Sequence, residues 1–184
     1  VFGTSCSLEN DPSTSCGTEY WYWSRAALTC STVSTTSWTQ ESTPVSEITF
    51  ACVPPSIWHT ANTPSSITWS WSTGTQVSGT TYDLQYSSGT AISECQGVSG
   101  TSCTDSGLSV DTQYTVQVRA CNSTGCSSWS STSSAYTSAN DPNNFTGTPV
   151  CGGVDWSWGA NGNPASTEYF VDTNAFDQSW GTGT

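Results

Sequence analysis

Hydrophobic and polar positions alternate along most of this chain. Ile67-Thr68-Trp69-Ser70-Trp71, Tyr82-Asp83-Leu84-Gln85-Tyr86 and Tyr114-Thr115-Val116-Gln117-Val118-Arg119-Ala120 each place large apolar groups at every second residue. A two-residue period predicts a strand with one buried and one wet face. Tyr20-Trp21-Tyr22-Trp23 is aromatic at every position, so this strand is expected to be covered on both faces. Clusters of Gly, Pro, Asn and Ser separate the runs, and a helical period is hard to find. The pattern predicts an all-β protein.

One stretch carries more than alternation. Leu108 precedes a turn, Thr112-x-Tyr114 opens the next strand, and Val116, Val118 and Ala120 continue it to Asn122 and Gly125. This segment resembles the signature of the fibronectin type III domain. The resemblance implies a seven-stranded, two-sheet immunoglobulin-like sandwich over about residues 54–138, within a unit spanning 51–139. Ile67, Trp69, Leu84, Leu108, Tyr114, Val116 and Val118 are its expected core. It also implies that the Tyr114 hydroxyl bonds back to main chain as a tyrosine corner. Trp71 is expected to roll outward at the end of its strand.

The chain then repeats itself. Pro55, Trp58, Trp69, Trp71 and Tyr82 match Pro142, Phe145, Trp156, Trp158 and Tyr169, each pair 87 residues apart. Residues 140–184 thus read as the N-terminal half of a second sandwich. At the other end, Gly3-Thr4-Ser5-Cys6 matches Gly100-Thr101-Ser102-Cys103. Thr18-x-Tyr20 with Arg25-Ala26 matches Thr112-x-Tyr114 with Arg119-Ala120. Residues 1–50 read as the C-terminal half of such a sandwich. The repeat predicts tandem sandwiches in which residues 140–184 are completed by residues 1–50 of a neighbouring copy. Tyr20, Tyr22, Trp156, Trp158, Tyr169 and Val171 would line the assembly interface. An open half with bare edges and an uncovered aromatic face calls for such a partner.

Composition narrows the function classes. The 184 residues carry 14 Asp+Glu against two Lys+Arg, a net charge of -12. That excludes a nucleic-acid binder, which replaces phosphate counterions with basic side chains, and it disfavours docking on anionic lipid. No apolar run reaches the roughly 20 residues of a membrane helix, so no membrane insertion is expected. The chain begins at Val1, which reads as a processed or partial chain. Nine Cys in so weakly charged a chain predict an oxidising, extracellular setting. A zinc site is disfavoured by a single His and the lack of a Cys-x-x-Cys pair.

The closest cysteine pairs, Cys95–Cys103 and Cys121–Cys126, close short loops beside turns and are predicted disulfides. The sandwich resemblance places the turn between strands one and two near the turn before strand six, which implies a bond between Cys16 and Cys151 of complementary halves. Cys6 with Cys16 is the local rival.

Catalytic chemistry has little to stand on. His59 has no nucleophile motif around it. The acidic pairs Glu9/Asp11 and Asp172/Asp177 lie in polar, loop-like segments. Residues 172–177 offer oxygen ligands but lack the glycine and terminal glutamate of an EF-hand loop. No cofactor is implied, and the protein is expected not to be an enzyme. Asn122 and Asn144 stand in glycosylation triplets; Asn122 is expected at an exposed hairpin tip, and surface Ser and Thr are candidates for O-linked sugar. Trp38, Trp129 and Trp180 are the indoles least explained by a core. The resemblance, which extends to repeats of secreted bacterial proteins, leads to two functional expectations. One is a structural subunit of an extracellular filament, stalk or fibre. The other is a spacer or glycan-binding, adhesive module of a secreted multidomain protein.

Overall fold

The computed structural model describes residues 15–25, 27–29, 36–38 and 40–171. Twelve strands run in chain order: β1 Glu19–Tyr22, β2 Ala27–Thr29, β3 Thr36–Trp38, β4 Val45–Ile48, β5 Ile57–Thr63, β6 Ser66–Trp71, β7 Thr81–Tyr86, β8 Ser102–Ser106, β9 Gln113–Cys121, β10 Ser133–Tyr136, β11 Asn143–Val150 and β12 Gly153–Gly159. One 3-10 turn, Ser93–Cys95, is the helical element among the described residues.

The central part is a sandwich of two three-stranded antiparallel sheets, β5-β6-β8 and β7-β9-β10. Alternation puts Ile67, Trp69 and Trp71 of β6 against Tyr82 and Leu84 of β7 and Val116, Val118 and Ala120 of β9. Ile67, Trp69, Leu84, Val116 and Val118 are fully buried, and Leu108 and Tyr114 pack on the cluster from its margin. Trp71 does not roll outward. Its ring meets Tyr82 at 5.5 Å between centroids, and it is buried. Fully burying one such aromatic removes 150–250 Å² from water, about 4–6 kcal/mol of gross transfer.

The sandwich has six strands rather than seven. Between β7 and β8 the chain makes only single bridges, Gln85 to Ala91 and Tyr82 to Val98. The 3-10 turn between them buries Cys95, whose bond to Cys103 on β8 staples this segment to the opposite sheet. A short staple thus replaces a regular strand.

Cys121 and Cys126 are joined across the end of β9. Cys16 bonds Cys52, not Cys151. The β1–β4 pairing and the Gly17 N–H bond to the Phe50 carbonyl bring Cys16 beside the linker that follows β4, with Cα atoms 5.0 Å apart. Cys151 is a free, exposed thiol in the β11–β12 turn. Cys6 and Cys30 lie outside the described residues.

The flanks are two-stranded antiparallel sheets: β1-β4 and β2-β3 before the sandwich, β11-β12 after it. No helix among the described residues is long and apolar enough to cross a membrane.

Candidate assembly surface and unit junctions

The end of the β7-β9-β10 sheet is held by a corner of short hydrogen bonds. Tyr114 leaves β9 so that its hydroxyl accepts the Ser109 N–H at 2.9 Å. The Thr137 hydroxyl donates to the Ser109 carbonyl at 2.6 Å and accepts the Thr112 N–H at 3.0 Å. Asp111 takes a positive φ of 44° so that its N–H reaches the Ser138 carbonyl at 3.2 Å. This is the tyrosine corner expected of Tyr114. Residues 53–136 match the family model for the fibronectin type III domain. This stretch is one fibronectin type III domain.

Among solved structures, a solution structure of the fibronectin type-III domain of human fibronectin type III domain containing protein 3 is similar at 24% identity and TM-score 0.43, covering 50% of this chain and 90% of that one. A family 28 exopolygalacturonase of Yersinia enterocolitica is similar at 20% identity and TM-score 0.42, covering 50% of this chain and 21% of that one. A myokine structure is similar at 22% identity and TM-score 0.38, covering 48% and 98%. No curated protein matches the chain. Fibronectin type III domains are in general binding or structural modules, without catalysis of their own. Three disulfides among the described residues are in keeping with an extracellular protein.

The corner occurs twice. In the N-terminal segment the Ser15 N–H bonds the Tyr20 hydroxyl at 2.6 Å, the Thr49 hydroxyl donates to the Ser15 carbonyl at 2.7 Å, and the Thr18 N–H bonds Thr49 Oγ1 at 3.0 Å. Gly17 has a positive φ of 58°, and its N–H reaches Phe50 at 2.7 Å. Ser15, Gly17, Thr18 and Tyr20 each stand 94 residues before Ser109, Asp111, Thr112 and Tyr114. The β1–β4 hairpin therefore has the local geometry of β9–β10.

The β11–β12 hairpin likewise has the geometry of β5–β6. Val150 pairs Gly153, Pro149 pairs Val154 and Thr148 pairs Asp155; Thr63 with Ser66, Asn62 with Ile67 and Ala61 with Thr68 are their counterparts 87 residues earlier. The difference lies in burial. Trp156 and Trp158 are 47% and 36% exposed, while Trp69 and Trp71 are 0% and 2% exposed. Phe145 stacks on Trp156 at 5.0 Å, and Trp158 meets Tyr169 at 5.7 Å, so the aromatic groups form one open face. Val171 and Phe170 are exposed beside it in sequence. On the other hairpin Tyr20 and Tyr22 lie 6.3 Å apart and are half-buried. Of the expected interface residues, Tyr20 and Tyr22 lie on β1, Trp156 and Trp158 on β12, and Tyr169 and Val171 in the segment that follows β12.

Other candidates are placed as follows. Asn122 is half-buried rather than exposed: its amide donates to the Thr49 carbonyl at 2.9 Å, and its oxygen accepts the Thr124 and Gly125 N–H groups. Its side chain is thus partly engaged by its own Asx turn and the neighbouring segment. Asn144 is exposed on β11 with a φ of 53°. Trp129 is covered on one face by the Arg119 guanidinium at 4.7 Å, which also holds Asp83 at 2.9 Å. His59 is exposed on the edge strand β5. Residues 172–184, with the Asp172/Asp177 pair, the candidate cation loop and Trp180, lie outside the described residues, as do Glu9, Asp11 and the Trp38 side chain. The one cluster of metal-ligand types among the described residues joins Asp83 to Cys121 and Cys126. The disulfide uses both sulfurs and Arg119 binds the carboxylate, so it offers no cation site.

Two carboxylates order the β8 end. Hydrogen bonds from the Ser106 N–H and hydroxyl hold the Glu94 carboxyl down at about 2. Burial pushes Asp105 up, although Tyr86 donates to it at 2.8 Å. Burial first, then the Asp105 bond, raises the Tyr86 hydroxyl. The Tyr86–Asp105 bond ties β7 to β8, and the Glu94–Ser106 bonds tie the 3-10 turn to β8. The hydrogen-bonded corner of Tyr20 is what sequence reading had not reached; its signal was the Ser15 to Thr18 spacing.

Proposed function

We propose that this protein is a structural unit of an extracellular fibre, built head to tail from fibronectin type III-like sandwiches. In this reading the β11–β12 face of one copy is covered by the β1–β4 hairpin of the next. The observation that carries it is the contrast in burial between Trp156/Trp158 and their register partners Trp69/Trp71. In the closed domain those indoles are covered by β7 and β9. The hairpin with the β9–β10 corner geometry, β1–β4, has Tyr20 and Tyr22 at the positions of Tyr114 and Val116. A contact between two different surfaces propagates rather than closing on itself, unless the rotation makes a ring. Main-chain pairing along the open edges adds direction to it.

Negative-stain microscopy and light scattering of the purified chain test this. Rods with a one- or two-sandwich repeat are expected, and Trp156→Ser with Trp158→Ser should give dispersed particles. A wild-type chain that stays monomeric at high concentration overturns the reading in favour of a spacer module. One observation favours a glycan-binding role for such a module. Trp21 and Trp23, 58% and 53% exposed on one face of the β1 segment, line a groove of about 260 Å³ with Glu41, Ser42 and Pro44. Exposed indole faces beside polar groups suit the apolar face of a sugar ring. Quenching of tryptophan fluorescence by oligosaccharides, lost in Trp21→Ala, would support it.

A further inference from the structure

The linker between the N-terminal hairpin and the fibronectin type III domain is gripped from both sides. Cys52, in that linker, is bonded to Cys16 of the preceding hairpin. Its peptide is also clamped by the side-chain amide of Gln76, from the loop that follows β6. The Cys52 N–H reaches Gln76 Oε1 at 3.2 Å, and Gln76 Nε2 donates to the Cys52 carbonyl at 2.7 Å. Only a primary amide offers a donor and an acceptor side by side for such a two-way bond with one residue's backbone.

The second linker is gripped in the same way. The Asn140 N–H reaches Asn163 Oδ1 at 2.7 Å, and Asn163 Nδ2 donates to the Asn140 carbonyl at 2.7 Å. Asn163 is buried, with 8% of its surface exposed, and comes from the loop that follows β12. It stands 87 residues after Gln76, and Asn140 stands 88 after Cys52. The turns that aim the two amides match as well: Gly74 at φ 64° and Asn161 at φ 52°, again 87 apart. The corners that the loops approach are equivalent too. A Cβ on Gly17 would meet the Thr75 carbonyl and Gln76, and Asp111 accepts a 2.6 Å bond from Thr167.

We infer that successive units of this protein, each flanking hairpin and the central domain, dock through one reused junction, in which an amide from the loop after the unit's second strand clamps the incoming linker peptide. Gln76 and Asn163 are its positioning residues. The partner this surface fits is the corner and linker of a preceding sandwich of the same kind. Because both junctions share the two-way amide clamp, one fixed rotation relates each unit to the next, with the Cys16–Cys52 bond an added lock at the first. Its extension to a regular fibre rests on the head-to-tail reading; the junction itself does not.

The test is a distance measurement in the full chain. Nitroxide labels on genetically encoded ketone side chains at Thr43 and Ser88 span the first junction, and labels at Ser88 and Asp155 span the second. Double electron–electron resonance should give a narrow distribution for each pair. Gln76→Glu keeps the shape but removes the donor, and should at least double the width for the first pair while the second stays narrow. Asn163→Asp should do the converse. Broad distributions in the unsubstituted chain, or widths that neither substitution changes, overturn the inference. Loss of rods with narrow distributions retained would sink the head-to-tail reading and leave the junction standing.

Discussion

The β5–β6 and β11–β12 hairpins share a register, a repeat spacing and a pair of indoles, yet one is a core and the other a surface. Trp69 is wholly buried and Trp156 is 47% exposed. What differs is not the hairpin but the sheet opposite: β7 and β9 supply Tyr82, Leu84, Val118 and Ala120 to the first, whereas among the described residues the second meets the Tyr82 counterpart, Tyr169, with no second sheet behind it. The lesson is that a two-residue period determines which side of a strand is sticky, while a second sheet determines whether that side is satisfied.

Mutation of the two indoles should break the comparison most sharply. Trp69→Ala is expected to cost about 3–5 kcal/mol in urea unfolding of the domain, because a large void opens in a closed core. Trp156→Ala in a dispersed chain is expected to cost under about 1 kcal/mol, because a surface indole gives up little burial. Equal losses would mean that the open face is covered within one chain. Under the fibre reading the order changes, and Trp156→Ala should also abolish rods in microscopy.

The disulfides sharpen the same contrast at a smaller scale. Removing Cys16–Cys52, with a sequence separation of 36, should cost about 4 kcal/mol by loop entropy, against about 2.5 kcal/mol for Cys95–Cys103 with a separation of 8. Paired Cys→Ser variants followed by differential denaturation decide this. A larger loss for Cys95–Cys103 would show that the segment between β7 and β8 depends on its staple for packing as well as entropy.

The smallest expected effect is in acid. The Glu94 carboxyl is depressed from 4.5 to about 2. Its stabilisation is therefore fully present above 4.5 and lost as the pH falls through about 2. Asp105 is raised, so it favours the folded form at low pH and that advantage is lost as the pH rises through its folded pKa. The two oppose each other, and Glu94→Gln should remove only the acid-side loss. Hydrogen exchange at the Ser106 amide between pH 5 and 2 reads this out; an unchanged profile would show that the Glu94 bonds do not hold β8.

Much of this was legible in the chain. The alternation at residues 67–71 and 114–120 determined two strands and their buried faces, because side chains on a pleat point to opposite sides. The resemblance of residues 108–125 to the fibronectin type III signature implied the corner at Tyr114. The 87-residue repeat determined that two hairpins share a register. Tertiary structure decided the rest. Its place at the end of β6 suggests an outward turn for Trp71, but it keeps the two-residue period of Ile67 and Trp69 because Tyr82 covers it. Asn122 was read as a free hairpin tip, but the end of the preceding hairpin lies within reach of its amide. Cys16 found Cys52 rather than Cys151 because cysteine pairing depends on which Cα atoms the fold brings within bonding distance. Local sequence fixes the direction of side chains; only the packed sheets decide what each one meets.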